Sequence, residues 1–154
     1  MPTKKFILNE IDIVYKPALE LIKRPVINCA EEAHSLFREN WDSTKIAIVE
    51  QFKVMLLNRS NRVLGISTVS LGGISGTVTD QKIIFAIALK AGASSIILAH
   101  NHPSGNMKPS DADIAITKKI RECGGFLDIQ VLDHIILNGL ENRFNSLNDH
   151  LNLF

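Results

Sequence analysis

The side chains best suited to chemistry are concentrated in one short stretch in the second half of the chain. They are His100, His102, Ser110, Asp111 and Asp113. The apolar residues 95–99 precede them and are typical of a buried strand. Side chains of a strand alternate between its faces, so His100 and His102 are expected to project from the same side. Two neutral imidazoles and one carboxylate are a common ligand set for a catalytic zinc ion, with the fourth position open to water.

Each of these residues also has a structural interpretation that needs no metal. Pro103-Ser104-Gly105 is a good turn sequence, and histidines beside a turn are often surface residues. Ser110 and Asp113 occupy the N-cap and N3 positions of a predicted helix, a carboxylate variant of the capping box. The two interpretations are compatible, because a carboxylate held in the first turn of a helix is rigidly aimed. Asp111 is the alternative carboxylate ligand, and spacing alone does not choose between them.

A hydrolytic zinc site also needs a general base that takes a proton from the attacking water. Glu50 is a candidate because it interrupts the apolar series 46–52, although the pattern alone favours a solvent-facing glutamate on an edge strand. Asp133 and His134 form a second polar break in an apolar segment. They are interpreted either as a hydrogen-bonding pair that supports a metal ligand or as a satisfied buried pair.

The elements that must position these residues follow from the periodicity of apolar positions. The predicted helices are 31–40, 80–92 and 111–123, and the predicted strands are 46–49, 52–57, 63–69, 95–100 and 126–137. Asn28 and Glu31 resemble a capping box for the first helix, and Gly124-Gly125 is expected to end the third. In that third helix Ala112, Ala115, Ile116 and Ile120 are expected to face inward. The order of elements predicts an α/β fold with a mixed central β-sheet flanked by helices.

Composition and charge describe an ordinary soluble domain. The chain has 154 residues, of which 45% are hydrophobic and 21% charged, and its net charge is +1. This balance gives no electrostatic reason to expect nucleic acid or an anionic membrane as a partner. The basic residues Lys118, Lys119 and Arg121 favour a solvated helix face. The glycine-rich residues 71–76 lack the spacing of a phosphate-binding loop.

The same sequence bears on domain organisation and location. Residues 1–26 are interpreted as an N-terminal extension with a β-like segment at 6–15. This extension is expected to pack either on the domain or on a partner chain, and the second alternative would make the protein a homo-oligomer. Residues 27–154 form the predicted domain. No secretory signal or membrane span is expected from the apolar pattern. Cys29 and Cys123 are far apart in the sequence and lack any CxxC context, which favours two reduced thiols in a reducing compartment. A cytoplasmic location is therefore expected.

The spacing of these residues resembles the JAMM motif of the JAB/MPN+ metalloproteases. His100-x-His102 is followed by seven residues and Ser110, then by two residues and Asp113, with a glutamate upstream. Residues 96–105, Pro109-Ser110 and residues 133–136 further resemble the RadC branch of that superfamily. The resemblance runs from about Asn28 to the C-terminus.

The resemblance implies a set of roles for individual positions. His100, His102 and Asp113 match the zinc ligands of the family, Glu50 matches the glutamate that activates the attacking water, and Ser110 matches the serine that supports the tetrahedral oxyanion. It implies a JAB/MPN (cytidine deaminase-like) architecture, a Zn²⁺ cofactor and a peptidase or isopeptidase-like activity on a peptide or protein substrate.

Two departures and two other functions accompany this interpretation. RadC-type proteins usually begin with a helix–hairpin–helix region associated with DNA binding, and no such region is expected within these 154 residues. The usual Pro-Arg-Glu-like entry to the first core helix is replaced by Asp80-Gln81-Lys82. The alternatives are a non-catalytic MPN-type binding module and a nuclease or accessory protein of DNA repair or mobile elements. Members of the superfamily that act as binding modules typically lack one or more metal ligands. The near-neutral charge and the small number of aromatic residues give DNA binding little support.

Overall fold

The computed structural model describes residues 20–72 and 78–151, which build one five-stranded sheet with helices on both faces. The strands are β1 (Gln51–Leu57), β2 (Val63–Leu71), β3 (Ser95–His102), β4 (Gln130–Asn138) and β5 (Phe144–Ser146). The helices are α1 (Ala30–Glu39), α2 (Gln81–Ala91), α3 (Asp111–Phe126) and α4 (Leu147–Leu151), and a 3-10 turn covers Leu21–Lys23. The predicted β-like segment 6–15 and most of the glycine-rich loop lie outside the described residues.

The sheet is mixed, with the order β2-β1-β3-β4-β5. Only the pairing of β3 with β4 is parallel; the pairings of β1 with β2, β1 with β3 and β4 with β5 are antiparallel. The parallel pair is joined through α3, as parallel neighbours need a crossover connection. The prediction of an α/β fold with a mixed central sheet flanked by helices is therefore confirmed.

Two apolar layers hold the helices against the sheet, one on each face. Ala33 and Phe37 of α1 pack with Met55, Leu57 and the other residues of one layer. The second layer joins α2 and α3 to the opposite face. Its buried members include Val54, Leu56, Ile84, Phe85, Ala88, Ile96, Leu98 and Ile120. Alternation along β3 therefore directs the even-numbered side chains, His100 among them, towards α2 and α3.

The predicted strand 46–49 is wrong, because residues 43–49 form turns in front of β1. Asn101, which is fully buried, explains the difference. Its side-chain amide donates to the carbonyl oxygens of Ile46 at 2.7 Å and Val49 at 2.9 Å, and its Oδ1 accepts from the backbone N–H of Gln51 at 2.7 Å. The side chain thus satisfies backbone groups that a neighbouring strand would otherwise have to pair.

The third helix runs through Gly124-Gly125 to Phe126 instead of ending at Cys123. Gly124 lies against the carbonyl of Ile129, and the N–H of Ile129 donates to the carbonyl of Gly124 at 2.9 Å. Glycine is needed here for close approach of two backbones, so it does not act as a stop signal. The predicted strand 126–137 consequently begins only at Gln130.

Smaller differences concern the helix faces and ends. Ile120 of α3 is buried as expected, but Ala112 and Ala115 are exposed. The first helix begins at Ala30 after Cys29, and Glu32 rather than Glu31 reaches back, accepting from the backbone N–H of Asn28 at 2.6 Å. The short elements β5 and α4 were not predicted from the sequence.

Three further observations concern the side chains and helices of the described residues. Lys118, Lys119 and Arg121 are exposed on α3, as expected for a solvated helix face. Cys29 and Cys123 are free thiols. Across residues 20–72 and 78–151, none of the helices combines the length and apolar character that a membrane crossing requires.

Gly139 holds the loop after β4 against the segments that carry the site. A Cβ at this position would lie 2.7 Å from the carbonyl oxygen of Ile46, 2.8 Å from Cα of Pro103 and 2.9 Å from the carbonyl oxygen of His102. Gly139→Ala is expected to lower the free energy of unfolding by about 1–3 kcal/mol, the usual cost of overpacking. Denaturant unfolding measures this change.

Gly125→Ala is the matched control for the Gly139 variant. A Cβ at Gly125 meets nothing within 4 Å, and the residue lies inside α3. Alanine is the better helix former by about 0.8–1.0 kcal/mol, so this variant is expected to be at least as stable as the unmodified protein. Equal unfolding midpoints for the two variants would show that the contacts of Gly139 do not constrain the loop.

Candidate metal centre

Three potential metal ligands converge where the carboxyl end of β3 meets the first turn of α3. His100, His102 and Asp113 each offer one ligand atom, and these atoms lie within 4.8 Å of one another. Within the described ranges, no other group of three or more histidine, cysteine or acidic side chains has this arrangement. His100 is 1% exposed, whereas the side chains of His102 and Asp113 are 16% exposed. The group is therefore buried on one side and open on the other.

The interatomic distances fit a small tetrahedral cation. Nε2 of His100 lies 2.9 Å from Nε2 of His102 and 3.2 Å from Oδ1 of Asp113. Nε2 of His102 lies 3.7 Å from Oδ2 of Asp113. Ligand atoms around tetrahedral zinc, at bonds of about 2.0–2.1 Å, are separated by about 3.3 Å. Shifts of a few tenths of an ångström would complete the coordination, and imidazole nitrogen and carboxylate oxygen are both ligands that zinc accepts.

The N-terminus of α3 aims the carboxylate of Asp113. The backbone N–H and the hydroxyl of Ser110 each donate to Oδ2 of Asp113 at 2.7 Å, and the backbone N–H of Asp113 donates back to Oγ of Ser110 at 3.1 Å. The expected capping box is thus present. Oδ1 is left to face His100, so the cap and the ligand geometry coexist in one side chain.

The outer nitrogens of the two histidines have different partners. Nδ1 of His102 faces the carbonyl oxygen of Asn106 in the loop that follows β3. Nδ1 of His100 lies 2.8 Å from Nε2 of His134 on β4. Nδ1 of His134 in turn lies 2.6 Å from the hydroxyl of Thr117 on α3. Both imidazoles are thereby fixed in orientation, as ligating histidines generally are.

The charge distribution favours a cation between these side chains. Burial alone would raise the pKa of Asp113, but its contacts with His100 and His102 outweigh this effect and hold that pKa well below its usual value. Burial alone would lower the pKa of His102, yet its bonds to Asp113 and Asn106 raise it overall. Burial, together with the neighbouring His100, depresses the pKa of His134 strongly, so that ring stays neutral.

Glu50 directly precedes β1 and is half-buried. Phe52 pairs with His100 in the antiparallel ladder, and continuing this register by two residues places Glu50 opposite His102. Extension of the strand alternation to this residue predicts a side chain on the face of the sheet that carries both histidines. The negative charge of Glu50 contributes to the raised pKa of His102. The hydrogen bonds of Asn101 hold the turn that leads into this residue.

The remaining candidates are not members of the ligand group. Asp111 is exposed on α3 and is not part of the ligand group. The side chains of Asp133 and His134 have different partners, although the backbone N–H of His134 donates to Oδ1 of Asp133 at 2.7 Å. Asp133 accepts from Oγ of Ser146 at 2.7 Å and from the backbone N–H of Asn148 at 3.1 Å, while His134 contacts His100. Burial raises the pKa of Asp133, and these hydrogen bonds partly offset that effect.

Sequence reasoning missed Thr117, which contacts Asp113 and His134, and Asn101, whose side chain holds the turn before Glu50. Thr117 lies one helical turn after Asp113, and Asn101 lies between the two histidines on the opposite face of β3. A polar residue at such a spacing from a candidate ligand is the signal that could have found each one. A separate cleft of about 970 Å³, bordered by Arg59, Arg121 and Gln130, lies at the other end of the sheet and contains none of the three ligands.

The comparisons with known proteins agree with this geometry. A family model described as RadC-like JAB domain matches residues 27–152. A protein of Flavobacterium johnsoniae named UPF0758 protein is 46% identical over 100 residues, covering 65% of this chain and 43% of the relative. A second, from Desulforamulus reducens, is 40% identical over 124 residues, covering 80% and 52%. A third, from Desulfitobacterium hafniense, is 36% identical over 143 residues, covering 87% and 61%.

The chain thus spans about half the length of the curated relatives that it matches. Their shared name states no activity. The family model matches residues 27–152, which form the domain that carries the candidate metal centre.

Proposed function

Because the chain belongs to the RadC-like JAB domain family, we propose that it is a zinc-dependent hydrolase that cleaves an amide bond in a peptide or isopeptide. The observation that carries this proposal is the convergence of His100, His102 and Asp113 on one point with an open side. Three protein ligands and an open fourth position distinguish catalytic zinc sites from structural ones, which are closed by four.

A zinc ion held by these three side chains would polarise a carbonyl group and lower the pKa of a water molecule. Glu50 is the proposed general base, which accepts a proton from the attacking water and donates it to the leaving amine. The negative charge of Glu50 contributes to the raised pKa of His102, which supports a position of this carboxylate near the ligand group. Glu50 makes the attacking oxygen a better nucleophile and prevents expulsion of an unprotonated amine.

Ser110 is proposed to donate a hydrogen bond to the oxygen of the tetrahedral intermediate. Its hydroxyl donates to Oδ2 of Asp113 in the free protein, and the residue is exposed. The backbone N–H of Ser110 makes an independent bond to the same oxygen at 2.7 Å. The hydroxyl can therefore turn to a substrate while the carboxylate keeps a partner, and a donor placed where charge develops lowers the barrier.

The intact ligand set supports a hydrolase over a binding module. A module that only binds a partner has no use for an open metal position beside a candidate base. The net charge of +1 offers little attraction to a nucleic-acid backbone. We therefore place a peptide or protein substrate ahead of DNA.

Hydrolysis of peptide and isopeptide libraries, read by mass spectrometry, tests the proposed activity. The protein is expected to cleave at least one amide when supplied with zinc, to lose that activity on treatment with a chelator and to regain it when zinc is restored. Zinc binding without cleavage of any library member would favour the binding module. Cleavage that a chelator leaves unchanged would contradict the proposal.

A further inference from the structure

A buried series of hydrogen bonds runs from the backbone of α3 to His100. It passes through the hydroxyl of Thr117 and the imidazole of His134, both of which are fully buried. Neither Thr117 nor His134 is a member of the ligand group. Each oxygen and nitrogen in the series can donate only the hydrogen atoms that it carries. The distances therefore determine which atom donates and which accepts in each hydrogen bond.

The direction is set at the hydroxyl of Thr117. This oxygen lies 2.6 Å from the carbonyl oxygen of Asp113 and 2.6 Å from Nδ1 of His134. A carbonyl oxygen only accepts, so the single hydroxyl hydrogen points to Asp113. The hydroxyl must then accept from His134, and Nδ1 of that ring carries its hydrogen.

The direction passes through His134 to His100. A neutral imidazole with hydrogen on Nδ1 has a lone pair on Nε2. Nε2 of His134 lies 2.8 Å from Nδ1 of His100, and it therefore accepts the hydrogen of that nitrogen. The remaining nitrogen of His100, Nε2, is left with its lone pair directed at Asp113 and His102.

In its neutral form, His102 also has hydrogen on Nδ1 and a lone pair on Nε2, but a different contact determines this tautomer. Nδ1 of His102 faces the carbonyl oxygen of Asn106, which can only accept. The loop after β3 therefore serves His102, whereas His100 depends on a contact between β4 and α3. The hydroxyl of Thr117 also donates to the backbone carbonyl of Asp113. This one hydroxyl therefore contacts Asp113 directly and is connected to His100 through His134.

We propose that Thr117 and His134 are positioning residues that hold His100 in the tautomer able to bind the metal. This inference rests on the proposed zinc site. Thr117 and His134 touch neither the metal position nor the substrate and act through His100. Outer partners of this kind typically change metal affinity by about 10- to 100-fold when they are removed.

Thr117→Val removes the hydroxyl at nearly constant volume, and Thr117→Ser restores it. Competition of Zn²⁺ with a chromophoric chelator gives the dissociation constant of each variant. We expect Thr117→Val to bind zinc about 10- to 100-fold more weakly and Thr117→Ser to bind close to the unmodified protein. Ser146→Ala is the matched control, since it removes another buried hydroxyl whose partner is Asp133 rather than a ligand histidine.

Nitrogen-15 NMR of the histidine rings in the metal-free protein provides a readout that a merely structural role would not change. His100 and His134 are both expected to carry hydrogen on Nδ1 in the unmodified protein, and Thr117→Val is expected to mix the tautomers of His100. Hydrogen on Nε2 of His100 in the unmodified protein would overturn the inference without any variant. So would equal zinc affinity of the Thr117→Val and Thr117→Ser proteins. Failure of the unmodified protein to bind zinc would instead overturn the proposed function. The tautomer measurement would still test whether Thr117 and His134 set the tautomer of His100.

Discussion

Glu50→Gln is expected to leave zinc bound and to reduce amide hydrolysis by about 10²- to 10⁴-fold, the usual contribution of a general base. Glutamine has nearly the same size but cannot accept the proton of the attacking water. Glu50 is not one of the three ligand residues, so metal content should not change. Turnover of a cleaved library peptide, measured beside the metal content of the same sample, separates the two effects.

Glu122→Gln is a suitable control for this variant, because Glu122 is exposed on α3 and is not part of the ligand group. It removes the same charge and should leave both zinc and turnover unchanged. Turnover retained in the Glu50 variant would remove Glu50 from its proposed role. Zinc lost together with turnover would instead make Glu50 part of the metal site.

His102→Ala is expected to abolish stable zinc binding. It leaves one imidazole and one carboxylate, and two ligands do not complete a protein zinc site. The loss of affinity should exceed the factor of about 100 that marks the upper end for partners outside the ligand group. Equilibrium dialysis against zinc measures it. Lys108→Ala, an exposed position on the loop that follows β3, is the control.

The same variant has a defined effect on the metal-free protein. The folded-state pKa of His102 is raised, chiefly by its bonds to Asp113 and Asn106 against the opposing effect of burial. Protonated His102 therefore stabilises the fold at pH values below about 6.5, its unfolded value. That contribution is lost as pH rises through the raised pKa. Without zinc, His102→Ala should accordingly destabilise the protein more at pH 6 than at pH 9.

Local rules predicted the ligand group from sequence because each of its members lies in a regular element. Strand alternation placed His100 and His102 on one face, and helix capping placed Asp113 in the first turn of α3. Both rules depend on near neighbours in the chain. The meeting of the two elements followed only from the resemblance of their spacing to a known motif.

Contacts between distant segments account for what the sequence did not predict. Residues 46–49 have strand-like composition, but Asn101, some fifty residues later, holds their backbone in turns. The role of Thr117 depends on His134, which lies 17 residues away and on another element. No local period reports such pairs, because each partner is an ordinary polar residue in its own segment.

The most direct test of the zinc site is the metal content of the purified protein, measured by mass spectrometry after supply of zinc and removal of excess ion. The account predicts about one zinc per chain, as a single site of three protein ligands would hold. The His102→Ala protein, prepared in the same way, should contain none. Absence of zinc from the unmodified protein, or equal zinc in both proteins, would contradict a metal centre formed by His100, His102 and Asp113.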